Sequence, residues 1–110
     1  MNKSFLSTTL CCAPGAPLLS AHERDALAGR FRALADPARV AIVNRLARAG
    51  EVCVCALVPE LGLAQPTVSH HLRVLREAGL VEARRQGTWS YYRLVPDAVE
   101  GLGRALAGRL

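Results

Sequence analysis

Four cysteines in two close pairs, Cys11–Cys12 and Cys53–Cys55, carry the most distinctive chemistry of this 110-residue chain. Thiolates are soft ligands and nucleophiles, and two of them within one or two residues can act on the same target. Neighbouring thiols can also close to a disulfide under oxidant or sulfide stress. In an apolar setting free cysteines pack as small hydrophobes. That reading suits Cys53 or Cys55 singly better than the adjacent pair, which precedes Pro14, Gly15 and Pro17. A second group lies in Gln65–Arg93, QPTVSHHLRVLREAGLVEARRQGTWSYYR, where His70 and His71 stand among arginines. Ala64–Arg93 holds five Arg and two Glu, a local balance of +3 in a chain of net charge +5. Such a balance suits a phosphate-rich partner, although an acidic lipid surface would fit the charge as well.

The elements that must position these groups follow from period and punctuation. Residues 1–19 show no periodicity and read as a flexible N-terminal arm carrying Cys11 and Cys12; residues 20–110 read as one folded domain. Ser20 with Glu23 forms a capping box, and the helix it opens carries Leu27, Phe31 and Leu34 before Asp36-Pro37. Asp36 caps a second helix, in which Val40, Val43 or Asn44, and Leu46–Ala47 recur at helical spacing up to Gly50. Glu51–Leu61 is a shorter helical piece, broken or bounded by Pro59 and closed by Gly62. Pro66 opens a fourth helix whose Val68, Leu72 and Leu75 must face the core. After Gly79, Leu80–Arg85 and Trp89–Val95 have strand character around Gln86-Gly87-Thr88, and Pro96-Asp97 starts a last helix. Its stripe of Val99, Leu102, Leu106 and Leu110 is a natural dimer surface. The order is α-α-α-α-β-β-α: mainly helical with a β-hairpin wing, a winged helix-turn-helix expected to be homodimeric.

Half of the residues are hydrophobic, 51%, yet no apolar run approaches the ~18 residues of a membrane span. Ser7, Thr8 and Thr9 interrupt the N-terminal apolar stretch, so no signal peptide is expected. A cytoplasmic protein without a membrane partner follows, and there the cysteines are expected to be reduced thiols.

The segments FRALADPARVAIV, EVCVCAL, LGLAQPTVSHHLRVLREAGLV and WSYYRL, in that order, resemble the ArsR/SmtB family of metal-responsive repressors. The resemblance covers about residues 30–95. It implies a double-stranded operator DNA partner, with Gln65, Thr67, Ser69, His70 and His71 as groove-facing candidates on the recognition helix. Arg73 and Arg76 would take phosphate or groove-wall positions, and Arg84 and Arg85 of the wing the adjacent backbone or minor groove. Without the resemblance these would read as solvated charges on an ordinary helix. The histidines could be metal ligands, but no cysteine is near them in sequence. Trp89, Tyr91 and Tyr92 could stack on bases; strand packing, with Trp89 and Tyr91 on one face and Tyr92 on the other, is the simpler reading.

Cys53 and Cys55 stand where the family's ELCVCDL-type sensor element stands. Members that complete a three-thiol site locally have another Cys three residues on, and here that residue is Val58. The missing sulfur must then come from Cys11 or Cys12. Residues i and i+2 of a helix point about 200° apart, so Cys53 and Cys55 share an ion only if Cys53 lies in the non-helical entry. The economical metal site takes Cys11, Cys12 and Cys55, with Cys53 as a fourth ligand. Three thiolates favour a soft ion. Members with an N-terminal Cys-Cys pair resemble arsenite sensors, implying As(III) or Sb(III) as regulatory ligand and no permanent cofactor. A site using all four cysteines would be similar to that of the Cd(II)/Pb(II) sensors, and Cys₄ also permits zinc. The family's zinc sensors use Asp and His on the last helix, which here offers Asp97 and Glu100 but no His. A thiol-redox repressor of the same fold is a further alternative. No enzyme is expected: a reductase using Cys11–Cys12 would need an anion cradle, a Cys-X-X-Cys motif or a general base beside the pair, and none is visible. A metal buffer would have no use for the basic recognition helix.

Overall fold

The computed structural model describes residues 18–109. Among them the elements run α1 (Ala21–Leu34), α2 (Pro37–Ala49), β1 (Val52–Cys53), α3 (Val54–Leu61), α4 (Gln65–Glu77), β2 (Val81–Gln86), β3 (Trp89–Leu94) and α5 (Pro96–Leu106). Cys11 and Cys12, with the rest of the expected arm to Pro17, lie outside the described residues, as does Leu110.

Helix starts follow the local chemistry. The Ser20 hydroxyl accepts from the Glu23 N–H at 3.1 Å, and Glu23 Oε1 accepts from the Ser20 N–H at 2.8 Å, the reciprocal pair expected of a capping box. Asp36 caps α2 by accepting from the N–H groups of Ala38 and Arg39, at 2.8 and 3.2 Å. Partial burial pushes the Asp36 carboxyl up, but these two donors together with the nearby positive charge of Arg39 hold it below the usual carboxylate range. In α3, Pro59 lies inside the helix instead of bounding it. Its missing N–H costs one helical bond, and the helix continues to Leu61 before Gly62 ends it at φ 67°.

The wing is a three-stranded antiparallel sheet in the order β1-β3-β2, one strand more than the hairpin expected. The addition comes from the start of the CVC segment, where Val52 pairs with Tyr92 and Cys53 with Tyr91. The hairpin itself runs from Val81↔Leu94 to Gln86↔Trp89. Its two-residue loop has positive φ at Gly87 alone, 62°, which only glycine adopts readily.

The core lies where α2, α3, α4 and the sheet converge, and Ile42, Val68, Leu72, Leu75 and Leu80 are completely shielded from solvent. The stripe Val68–Leu72–Leu75 is therefore as expected, while that of α2 is so only at Val43 and Leu46. Ile42 and Leu46 point inward, whereas Val40 is 53% exposed and Asn44 and Ala47 face solvent. Val40 precedes Ile42 by two residues, about 200° around the helix, so only one of them can face the core. Phe31 of α1 is 36% exposed, and Leu106 of α5, on the expected dimer surface, is 76% exposed. Two cross-links fix the helices further. Arg45 clasps Glu60 of α3 through both carboxylate oxygens at 2.7 and 3.1 Å, and Arg30 Nε of α1 donates at 3.2 Å to the Ala78 carbonyl at the end of α4.

Leu72 has its whole side chain in this core, so Leu72→Ala should destabilise the domain by ~2–5 kcal/mol, the range for removing a buried leucine. Urea denaturation followed by circular dichroism measures it. A loss below about 1 kcal/mol would mean that α4 is not held by this stripe.

Candidate nucleic-acid interface and thiol site

Because Val68, Leu72 and Leu75 fix the rotation of α4, the opposite side is fixed too. Gln65, Thr67, His70, Arg73 and Arg76 are exposed there, and Ser69 is half-buried at the edge. Gln65 Nε2 lies 3.5 Å from Ser69 Oγ, one turn along. Arg73 Nη2 meets His70 Nδ1 at 3.2 Å. A guanidinium only donates, so Nδ1 must accept and the His70 proton sits on Nε2. The pair thus presents two donors, an imidazole N–H and a guanidinium.

His71 is placed differently from its neighbour. It is half-buried, and its Nδ1 accepts from Arg39 Nη1 of α2 at 3.0 Å. Arg39 is itself anchored by donating from Nε to the Ala33 carbonyl at 2.6 Å. Sequence reasoning grouped His71 with the groove-facing residues; the structure turns its Nδ1 toward α2, a contact 32 residues away that no local pattern announces.

The wing arginines divide into two kinds. Arg84 is held by Glu51 through both carboxylate oxygens, at 2.8 and 3.0 Å, by Gln86 at 2.8 Å, and lies 4.8 Å over the Tyr91 ring. The Arg84 hydrogen bonds keep the Glu51 carboxyl below its ordinary range. Arg93 pairs across the hairpin with Glu82 at 3.0 Å. By contrast Arg73, Arg76 and Arg85 are exposed and have no carboxylate partner among the described residues. Those three form the open part of the basic surface.

The thiols meet at the junction of sheet and helix. Cys53 is the last residue of β1 and also the N-cap of α3, with extended backbone at φ −73°, ψ 143°. It therefore lies in the non-helical entry, which sequence geometry required of a shared site. Its sulfur accepts from the Cys55 N–H at 3.2 Å and is in contact with the Cys55 sulfur, the Cα atoms being 5.1 Å apart. Cys55 is exposed and Cys53 half-buried. They border a cleft of about 250 Å³ whose other walls are Gln65 and Ser69 of α4 and Thr88, Trp89, Ser90 and Tyr92 of the wing. Trp89, for which strand packing is the simpler reading of the sequence, is 54% exposed on that wall. Among the described residues no group of three or more His, Cys, Asp or Glu is arranged to hold a metal ion. A three-sulfur site thus needs Cys11 or Cys12, which lie outside the described residues. No helix among the described residues is long and apolar enough to cross a membrane.

Residues 36–83, from the cap of α2 into the wing, match the family described as bacterial regulatory protein, arsR family. An HTH-type transcriptional regulator of Methanocaldococcus jannaschii, itself uncharacterised, is 49% identical over 70 residues, 64% of this chain and 79% of that protein. The arsenical resistance operon repressor of Escherichia coli K12 is 50% identical over 66 residues, 60% of this chain but only 56% of its own length. Among solved structures, the homodimeric winged helix-turn-helix DNA-binding domain of a possible ArsR-family regulator from Mycobacterium bovis superposes with a TM-score of 0.68 at 34% identity, covering 87% of this chain and 89% of that one. With its winged helix-turn-helix fold, the chain belongs to the ArsR family of DNA-binding transcriptional regulators.

Proposed function

We propose that this protein is a homodimeric, metalloid-responsive repressor. It binds a palindromic operator without ligand and leaves it when As(III) or Sb(III) is captured by the thiolates of Cys11, Cys12 and Cys55, with Cys53 as a fourth ligand. The observation that carries this reading is the cleft in which the Cys53–Cys55 sulfurs face Gln65 and Ser69 of the recognition helix. An ion bound there acts at the edge of the DNA-reading surface. The exposed apolar side chains of Phe31 on α1 and Leu106 on α5 support pairing of two copies through these helices. Two-fold symmetry of the dimer would be mirrored in the operator half-sites.

DNA contact is assigned to the exposed row. Gln65, Thr67, Ser69 and His70 reach toward base edges, with the His70–Arg73 pair offering two donors to guanine or phosphate acceptors. Arg76 and Arg85 hold phosphates. Arg84 and His71, already engaged by Glu51 and Arg39, act chiefly by shaping the wing and by seating α4. Binding and release are then linked: DNA weakens ion binding by the factor by which the ion weakens DNA binding, and ~3 kcal/mol corresponds to about 150-fold.

The contact between the Cys53 and Cys55 sulfurs also favours a second reading. With Cys11 and Cys12 they would give the four-sulfur set suited to Cd(II) or Pb(II), or a pair that closes under oxidant.

Operator-fragment fluorescence anisotropy, titrated with arsenite, antimonite, cadmium, lead and peroxide under controlled thiol conditions, separates these. The expected result is release by arsenite or antimonite alone, and Cys55→Ser should bind the operator normally without being released. Release that persists in Cys55→Ser would remove that residue from the site. In the same assay Arg85→Ala and Arg76→Ala should each weaken binding uniformly across operator variants and lower the slope of log K against log salt by about 1. An unchanged slope would remove that arginine from the phosphate-contacting set.

A further inference from the structure

Two arginines from outside α4 brace it. Arg30 of α1 holds its end through the Ala78 carbonyl at 3.2 Å, and Arg39 of α2 holds its middle through His71 Nδ1 at 3.0 Å. We propose that Arg39 is a positioning residue for operator reading: by donating to a neutral His71 it seats α4 for the groove, so that a proton on His71 Nδ1 unseats the helix and weakens the operator complex. This rests on reading the chain as an operator-binding regulator and adds proton control to it.

Direction is the first argument. The Val68–Leu72–Leu75 stripe holds α4 against the core, but apolar burial is non-directional. A surface that reads a groove needs its side chains held to about 0.5 Å. His71 stands beside Leu72 at the margin of the stripe and is half-buried, so a hydrogen bond there resists both rolling and sliding of the helix. Arg39 can supply that bond rigidly because it is fixed elsewhere. Its Nε donates to the Ala33 carbonyl at 2.6 Å, and its backbone N–H donates to Asp36 at 3.2 Å. The guanidinium is a planar fork, so fixing Nε aims Nη1. The end of α1, the first turn of α2 and the middle of α4 therefore meet at one side chain.

Protonation is the second argument. A guanidinium only donates, so His71 must offer the Nδ1 lone pair and carry its proton on Nε2. A second proton would set a donor against a donor, and a cation against a cation, at the same 3.0 Å. The other charged and titratable groups about His71 are Asp36 and His70, while α1 brings the uncharged Ala33 carbonyl. The Asp36 carboxylate favours an imidazolium, but it already accepts from the N–H groups of Ala38 and Arg39. His70, its ring centre 5.9 Å from that of His71, is exposed and accepts from Arg73, so its protonation adds charge to the DNA-facing side itself. Operator phosphates draw protons onto both rings. Histidine ordinarily changes charge between about pH 5 and 8. The brace is thus present at neutral pH and is lost as pH falls.

The test measures operator-fragment anisotropy with the full, reduced chain from about pH 7.5 to about pH 5.5, the range in which histidine titrates. Arg39→Gln should bind about tenfold more weakly at neutral pH, the value of one charge-assisted hydrogen bond, with its circular dichroism unchanged. His71→Asn can turn an amide oxygen to where Nδ1 stood and does not titrate, so it should bind more tightly than His71→Leu. The ratio of wild-type to His71→Asn affinity should fall by about threefold or more on acidification, because only the wild type loses its brace. His70 is common to both, so its share cancels in that ratio. In ¹⁵N spectra of the free wild-type protein, the proton of the neutral His71 ring should sit on Nε2. A ratio constant across pH, a proton on Nδ1, or His71→Asn binding no better than His71→Leu overturns the proposal and leaves the regulator reading intact. Failure of the wild-type chain to bind any operator fragment would instead sink the regulator reading, and this proposal with it.

Discussion

The two-residue strand Val52–Cys53 is the constraint on which the geometry of the two thiols depends. Val52 is buried and paired with Tyr92, and Cys53 is paired with Tyr91, so the backbone is still extended when it reaches the first cysteine. The helix can begin only at Val54. Had α3 started one turn earlier, the two sulfurs would point about 200° apart. Strand pairing thus converts an unfavourable i, i+2 spacing into two sulfurs in contact. The same pairing joins the segment to the wing, and Glu51, just before the strand, grips Arg84 of β2. Three consecutive residues therefore couple the thiols to both strands of the hairpin.

Charge is spent in two ways on this surface, and a count of arginines does not separate them. Arg93 and Glu82 cancel across the hairpin, and Arg84 is neutralised by a glutamate outside the basic segment. All of these side chains are substantially exposed, where ion pairs add little to stability. Their effect is on shape, since they hold the wing in one position relative to β1. What is left unpaired, Arg73, Arg76 and Arg85, is aligned on the recognition helix and the wing. Pairing leaves Arg73, Arg76, Arg85 and Glu77 in Ala64–Arg93, so the segment stays positive although Glu51 offsets one of its charges.

Much of the fold was legible because it is written in local signals. The Ser20–Glu23 box, the Asp36-Pro37 start, the Val68–Leu72–Leu75 stripe and the glycine at the hairpin each act within a few residues, and each appears in the structure as read. The strand β1 was not legible, since two residues have no period and their pairing with β3 spans about forty positions. The α2 stripe was legible only in part: Val43 and Leu46 face the core as read, but apolar residues occur on both sides of the helix and only tertiary packing selects Ile42 over Val40. For the candidate site, residue types and order singled out α4 and the thiols. They did not identify the contacts that divide its residues into engaged and open: Arg39 with His71, Glu51 with Arg84, and Trp89 beside the cysteines. All of these join residues distant in sequence and carry no spacing rule.

The closeness of thiols to recognition helix bears on how such a regulator could switch. A ligand shifts an equilibrium only by its differential affinity for two states. If the thiols lay far from α4, that difference would have to pass through a chain of contacts with two discrete arrangements. Here Gln65, Ser69, Cys53 and Cys55 border one cleft, so an occupant and a bound groove would draw on the same few side chains. The required coupling is modest, ~1–3 kcal/mol, comparable to a few polar contacts at the rim of α4. The rest of α4 need not move for this. Its buried stripe and its tie to Arg30 through the Ala78 carbonyl hold it in place, while its N-terminal turn, where Ala64 makes no side-chain cap hydrogen bond, brings Gln65 beside the thiols.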